Sequence, residues 1–455
     1  MVNLASSFLQ SQLEKISPTE TVEQVIVQDF AKPLLYELGF GDLEIRPEFE
    51  TGNGPVDFAA RKNNDHVDVF YETKTNPYLL VEVKARATNT GARTTPLNLA
   101  DGAAAYRNVV KQLKCYLLSE KCRSARWGII TNGNHIQLWR KHGKVVHPTT
   151  PTLAIYPNNI DDIVYNLRSQ IENYQPALTV CVYNNKGGVG KTTTVINLAA
   201  ALRTKGKRVL LIDFDSQGDL TRSLGLIAGK ITLTECLKDP KLEVHSIIQP
   251  FKMSIKNKVI HVFDVIPTDP GMEALTNSQS AAHIQKGARR LQDMISPLRS
   301  EYDYILIDCP TQWLYFSKSG VFAADAVLIP TRHTDLSSLN NAVRVITKFI
   351  QEDVKPHRQD GGPIPLPIFF NGAPSEGKSI DTANSEIEKF VEKDKTLIPY
   401  FWPYFKPGNK DKSVFSLPDY AVISTATFSR VPAVFKHKKV LEYYQSFASE
   451  YFIYE

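Results

Sequence analysis

Hydrophobic and polar positions follow two different patterns along this chain, and the change falls near residue 176. Over residues 20–38, Val22, Val25, Ile26, Phe30, Leu34, Leu35 and Leu38 recur at three- and four-residue steps, which predicts a helix stopped by Gly39. Short strand-like runs follow: PVDFAA, HVDVFYE and YLLVEVKA. The stretch ATNTGARTTPLNL is dense in turn formers and reads as a loop. Residues 101–119 read as a second helix, and RWGIITNG with HIQLWRK as a hairpin turning at Asn132-Gly133-Asn134. This order of helix, sheet, helix, sheet describes an α/β unit. Beyond the seam, continuous apolar runs alternate with helices: ALTVCVYN, a glycine loop, TTTVINLAAALRTKG, RVLLIDFD, YDYILIDCP and Ala326-Val327-Leu328-Ile329. Uninterrupted apolar strands joined by crossover helices predict a mostly parallel sheet covered on both faces.

The seam has its own composition. HPTTPTLAIYPNN is rich in Pro and Thr, and the amphipathic segment IDDIVYNLRSQIENY ends at Gln175-Pro176. The expected division is a first domain over 1–147, a linker and connecting helix over 148–176, and a second domain over 177–455. A length of 455 residues alone would suggest about three domains. Hydrophobic residues at 42% and charged residues at 22% exclude a disordered, collagen-like or rod-like chain. No apolar run approaches the roughly 20 residues that span a bilayer, and MVNLASSFLQSQLEK lacks the form of a signal peptide. The five cysteines, Cys115, Cys122, Cys181, Cys236 and Cys309, are scattered and fit no zinc or iron–sulfur spacing. Together these features predict a cytoplasmic protein with reduced thiols and no membrane partner. Lys+Arg 53 against Asp+Glu 48 leaves +5, which argues neither for nor against nucleic acid.

Local chemistry is more informative. The segment NKGGVGKTTT follows a strand and opens a helix, the setting of a phosphate-binding loop. Gly187, Gly188 and Gly190 let backbone N–H groups, including that of Val189, approach phosphate, and the helix start adds its positive dipole end. Lys191 can reach the β- and γ-phosphates, and the Thr192 hydroxyl, followed by Thr193, suits Mg²⁺. Asn185 stands where the strict pattern has its first glycine. Asp213, Asp215 and Asp308 lie at carboxyl ends of apolar strands, where open α/β sheets bind ligands. Asp308 is the candidate for Mg²⁺ through water; Asp213 and Asp215 alternate with Phe214 and are expected on one strand face.

The first domain carries a different set. Glu82 and Lys84 are two apart on one strand and project to the same face, and Asp57 lies on the preceding run. Two such carboxylates can hold Mg²⁺ or Mn²⁺, and the lysine can orient or deprotonate water attacking a phosphodiester. Gln112 and Tyr116 are four apart on the second helix and face the same way. Glu23, with Glu20 as its rival, sits on the first helix and could face the metal from the other side.

Both halves resemble known families. KGGVGKTT, with Lys186 ahead of two glycines, VLLIDFDSQGDLT and DYILIDCP together resemble the deviant Walker A box and the following boxes of the ParA/MinD family of P-loop ATPases. The resemblance implies a doubly wound P-loop fold, ATP and Mg²⁺ as ligands, and an ATP-dependent homodimer or higher oligomer. It makes Lys186 the signature lysine that reaches a partner's phosphates, and Asp215 the residue that positions the attacking water. Asn371, in IFFNGAPSEG, becomes an adenine-side contact. Ser216 stands where the family has Pro, and Cys309-Pro310-Thr311 with Trp313 and Tyr315 makes a heavier switch region. Residues 20–142 resemble the restriction-endonuclease-like PD-(D/E)xK nuclease fold, specifically the N-terminal nuclease domain of type I restriction motor subunits, through VEQVIVQDFAKPLLYELGF, GPVDF, LLVEVKA, Gln112-x-x-x-Tyr116 and WGIITNGNHIQLW. No helicase motifs follow. The pairing implies an ATP-regulated, metal-dependent endonuclease on double-stranded DNA, set in bacterial defence against phage or plasmid DNA, with room for an unidentified partner protein. The alternative is a ParA-like partition or positioning ATPase whose nuclease-like domain only binds DNA. Lys32, Arg61, Lys62, Arg86, Arg93 and Arg107, and near the C-terminus Arg430, Lys436, His437, Lys438 and Lys439, are further candidates for phosphate contact.

Overall fold

Strands in this chain are rich in β-branched and aromatic residues, and the central strands of the second unit, buried on both faces, are mostly apolar. The computed structural model describes residues 6–90, 93–255, 258–276, 284, 286–372, 377–406, 408–419 and 430–454. It divides into two units. The first is Met1–Tyr174 with Gln359–Gly361, and the second is Gln175–Arg358 with Gly362–Glu455.

The first unit contains a hairpin of β4 (Ala87–Thr90) and β5 (Arg93–Pro96) and a larger mixed sheet. The larger sheet runs in the order β1 (Ile45–Glu50), β2 (Pro55–Ala60), β3 (Leu79–Val83), β6 (Trp127–Thr131), β7 (His135–His142), β8 (Val145–Pro148), with β9 (Leu153–Ala154) also on β7. Only β3 and β6 run parallel among these neighbours, with Glu82 opposite Ile130. Leu79, Val81 and Val83 pack on one face against a core that includes Phe30, Leu34 and Leu167. Leu80 packs on the other, against Leu113, Tyr116 and Leu117 of the helix Ala104–Leu117. Glu82 follows Leu80 by two positions and so points to the same side.

That helix lies close on the sheet because Gly128 of β6 has no side chain: a Cβ there would meet Leu113 Cδ2 at 2.9 Å. Its C-terminus is held by Lys141, 1% exposed, whose Nζ donates to the carbonyls of Leu117 (2.8 Å) and Cys122 (2.6 Å). Burial lowers the Lys141 pKa to about 8.

Several expectations change here. The first helix is three pieces, Glu23–Ile26, a π turn at Val27–Ala31, and Lys32–Glu37. A helix at Ser6–Lys15, whose Leu9 and Leu13 are buried, precedes it and has no counterpart in the expected elements. HVDVFYE is not a strand. Side chains take over its backbone groups: Asn63 Oδ1 accepts from Phe70 N at 2.8 Å, and Asp65 Oδ1 from Val67 N and Asp68 N. The helical turn Phe70–Thr73 results. The segment that reads as a loop forms the β4–β5 hairpin, since threonines favour extended backbone. The segment that reads as a linker belongs to the first unit up to Tyr174, because Ile160, Ile163, Leu167 and Ile171 of the helix Ile160–Glu172 enter its core.

The second unit is a seven-stranded sheet ordered β12 (Gln249–Ile255), β13 (Lys258–Ile266), β11 (Val209–Asp213), β14 (Tyr304–Asp308), β10 (Leu178–Val182), β15 (Ala326–Leu328), β17 (Ile364–Pro365). All neighbours are parallel except β12 with β13. A smaller parallel sheet of β16 (Pro330–Thr331), β18 (Phe369–Asn371) and β19 (Phe415–Leu417) follows. Registers bring Val182 opposite Asp308 and Asp308 opposite Asp213. Three strands therefore end level, and the loop leaving Val182 meets two carboxylates. Among the described residues, no helix is long and apolar enough to cross a membrane.

Candidate functional site

The loop after β10 turns on glycines with positive φ, Gly188 at 73° and Gly190 at 83°, and opens the helix Lys191–Thr204. Asn371 braces it: its Nδ2 donates to Val189 O at 2.9 Å. A Cβ on Gly190 would stand 2.1 Å from that nitrogen. The structure thus puts the Asn371 side chain on the loop backbone, a bracing position that the sequence does not suggest. The strand's continuation after Gly372 lies partly outside the described residues.

Lys191 is 8% exposed and its Nζ donates to Lys186 O at 3.2 Å. Burial lowers its pKa, against the attraction of Asp308 and Asp215. Asp308 is raised well above the usual carboxylate range, by burial first and then by Asp213, while Thr192 and Lys191 oppose the shift. Its Oδ1 is buried and has no hydrogen-bond partner among the described residues. Asp213 accepts from Thr221 N (2.8 Å) and Oγ1 (2.6 Å), and burial pushes it up to about 6. Asp215 lies beyond the strand end rather than on it, because β11 stops at Asp213. Its Oδ1 accepts from Gln217 N at 2.9 Å. Lys186 pairs with Asp335 at 3.2 Å. Gly187 belongs to the turn, and Thr193 lies in the first turn of the helix, where its carbonyl accepts from Asn197 Nδ2 at 2.9 Å.

In the first unit, Asp57 Oδ2 accepts from Val83 N at 2.7 Å, tying β2 to the end of β3. Lys84 Nζ donates to Glu82 Oε1 at 2.6 Å and lies 3.7 Å from Glu23 Oε2. Of the two acids expected on the first helix the geometry favours Glu23: the helix begins at Glu23, and Glu20 lies before it with its Oε1 accepting from Val22 N at 2.9 Å. Burial raises Glu82 to about 7, against Lys84. Burial likewise raises Asp57 and Glu23. Gln112 Nε2 donates to Tyr116 Oη at 2.8 Å, and the Tyr116 hydroxyl feels Glu82, Lys84 and Asp57. The six expected residues therefore share one neighbourhood. Among the described residues no three His, Cys, Asp or Glu side chains are grouped to hold a metal; the Lys84 ammonium stands between the Glu82 and Glu23 carboxylates.

Two basic candidates are corrected. Arg61 is committed to Asp68 through two bonds, at 2.9 and 2.7 Å. Arg86 is buried and donates to the carbonyls of Ile16, Ser17 and Gly133. Neither is presented to an outside phosphate. Lys32 and Lys62 pair with Asp42 and Glu44.

The AAA domain family matches residues 177–358. The chromosome partitioning protein ParA of Myxococcus xanthus is 34% identical over 183 residues, 39% of this chain and 61% of that protein. The sporulation initiation inhibitor protein Soj of Bacillus subtilis is 34% identical over 180 residues, 38% of this chain and 68% of that protein. The chain belongs to the ParA/Soj family. The match spans about three-fifths of the Myxococcus relative's length. Among solved structures, Cyanothece apo McdA is 23% identical with a TM-score of 0.47, covering 60% of this chain and 98% of its own. MinD with Mg-ADP from Pyrococcus horikoshii is 21% identical with a TM-score of 0.43, covering 60% and 95%. The AAA domain match begins at residue 177, so the first unit's sheet lies outside it.

Proposed function

We propose that this chain is an ATP-hydrolysing switch of the ParA type, acting on DNA through its first unit. The observation that carries the ATPase reading is the buried Lys191 of the glycine loop beside Asp308 and Thr192. Phosphate would take the place of Lys186 O on the Lys191 ammonium. Asp308 Oδ1 and the Thr192 hydroxyl are oxygen donors of the kind Mg²⁺ takes. When bound, Mg²⁺ would neutralise charge developing on the phosphates. Asp215 is the candidate to orient water, and Lys186 to reach phosphate. Lys191→Ala is expected to abolish ATP turnover; full activity in that variant would end this reading.

The name of one relative, a chromosome partitioning protein, favours a partition role, in which the first unit would hold DNA without cutting it. One observation favours cutting instead: Asp57, Glu82 and Lys84 gather beside Gln112 and Tyr116. In that reading Asp57 and Glu82 would hold Mg²⁺ or Mn²⁺, Lys84 would move a proton to or from water, and defence against foreign DNA becomes the natural setting. Supercoiled plasmid incubated with Mg²⁺ and ATP, ADP or neither separates the two. Nicking that Glu82→Ala abolishes, with ATP turnover kept, supports the nuclease; DNA retention without nicking supports partition.

A further inference from the structure

One helix holds the front of the phosphate loop. Asn184 Nδ2 donates to the carbonyls of Pro330 (2.8 Å) and Ser338 (3.0 Å), and Asn341 Nδ2 to Asn185 O (2.9 Å). Lys186 Nζ meets Asp335 Oδ2 at 3.2 Å. Asp335 is itself fixed as the N-cap of the helix Leu336–Arg344, where its Oδ1 accepts from Ser337 N at 3.0 Å. One carboxylate oxygen caps the helix and the other holds the lysine. The Ser337 hydrogen bond and Lys186 keep the Asp335 carboxyl below the usual range, although burial opposes them.

We infer that Asp335 is a positioning residue for Lys186, holding its ammonium at a resting place from which nucleotide phosphate must draw it. The inference rests on the ATPase reading of this unit. Phosphate and Asp335 compete for one ammonium, so the resting pair weakens ATP binding. Both side chains are partly exposed, 39% and 29%, which limits the effect to about twofold to fivefold.

Asp335→Asn tests this with little disturbance, since Asn caps a helix as well as Asp does. In the full chain, the Kd of a fluorescent ATP analogue and the kcat for ATP are measured for wild type, Asp335→Asn, Lys186→Ala and the double variant. Asp335→Asn is expected to tighten binding about twofold to fivefold, less so in high salt. Asp335→Glu is expected to restore the wild-type value. The tightening should vanish in the Lys186→Ala background. An unchanged Kd, or equal tightening in both backgrounds, overturns the positioning role. Lys191→Ala is run alongside: if it turns over ATP like wild type, the ATPase reading fails instead, and the inference with it.

Discussion

Gly190 meets two constraints at once. Its φ of 83° disfavours any side chain, and the Asn371 amide occupies the place of a Cβ. Gly190→Ala is expected to abolish binding of a fluorescent ATP analogue, and Asn371→Ala to restore only part of it, since the strained φ remains. The glycine is legible from its motif, but its neighbour is not, because Asn371 is distant in sequence and adjacent only through β18. Glu44 offers a test by pH. Burial alone would raise its carboxyl. Hydrogen bonds from Lys62 Nζ (2.9 Å), Gly41 N (3.0 Å) and Asn63 N (3.1 Å) outweigh burial and hold its pKa below the ordinary value. A lowered carboxyl stabilises the fold above its unfolded pKa and loses that contribution as pH falls through the folded value. Glu44→Gln should therefore cost about 1 kcal/mol at neutral pH in urea unfolding. The difference from wild type should shrink as pH falls below about 4, where a free glutamate protonates. A constant gap would show that the charge is not responsible.

At the scale of elements, the apolar strands of the second unit are legible because burial on both faces removes polar positions. The hairpin β4–β5 and the turn Phe70–Thr73 are not, since their backbone partners are set by contacts that no local period records. The helix Leu336–Arg344 continues as a π-helical segment Val345–Val354, and Trp313 is fastened to it. The indole stacks on Phe349 with centroids 4.2 Å apart, and its Nε1 donates to Asp353 at 2.7 Å. Trp313 follows Asp308 by five residues, so one helix is tied both to the phosphate loop and to the segment after that carboxylate. A double-mutant cycle of Trp313→Ala and Phe349→Ala should give a coupling of about 1 kcal/mol in unfolding. Coupling near zero would mean that the stack does not stabilise the element.

At the scale of the molecule, two separate units and the change between them near residue 176 are legible from the hydrophobic period, while the part that residues 148–174 play in the first unit is not. Pro and Thr suggest a linker where the structure has strands and a core helix. Each unit has its own buried clusters. A ligand of the folded second unit alone stabilises that unit by mass action, about 2.7 kcal/mol at a hundredfold excess over Kd. Calorimetry is expected to show two transitions, of which ATP with Mg²⁺ raises one; Lys191→Ala should remove that shift. A shift of both transitions would argue against separate folding.

The thiols have a practical consequence. Of the five cysteines only Cys115 is exposed, and the other four are buried. A maleimide dye under native conditions would therefore mark the natural chain at one position, one residue before Tyr116 and three after Gln112. Such a label would let fluorescence follow events at the carboxylate cluster without engineering a single substitution.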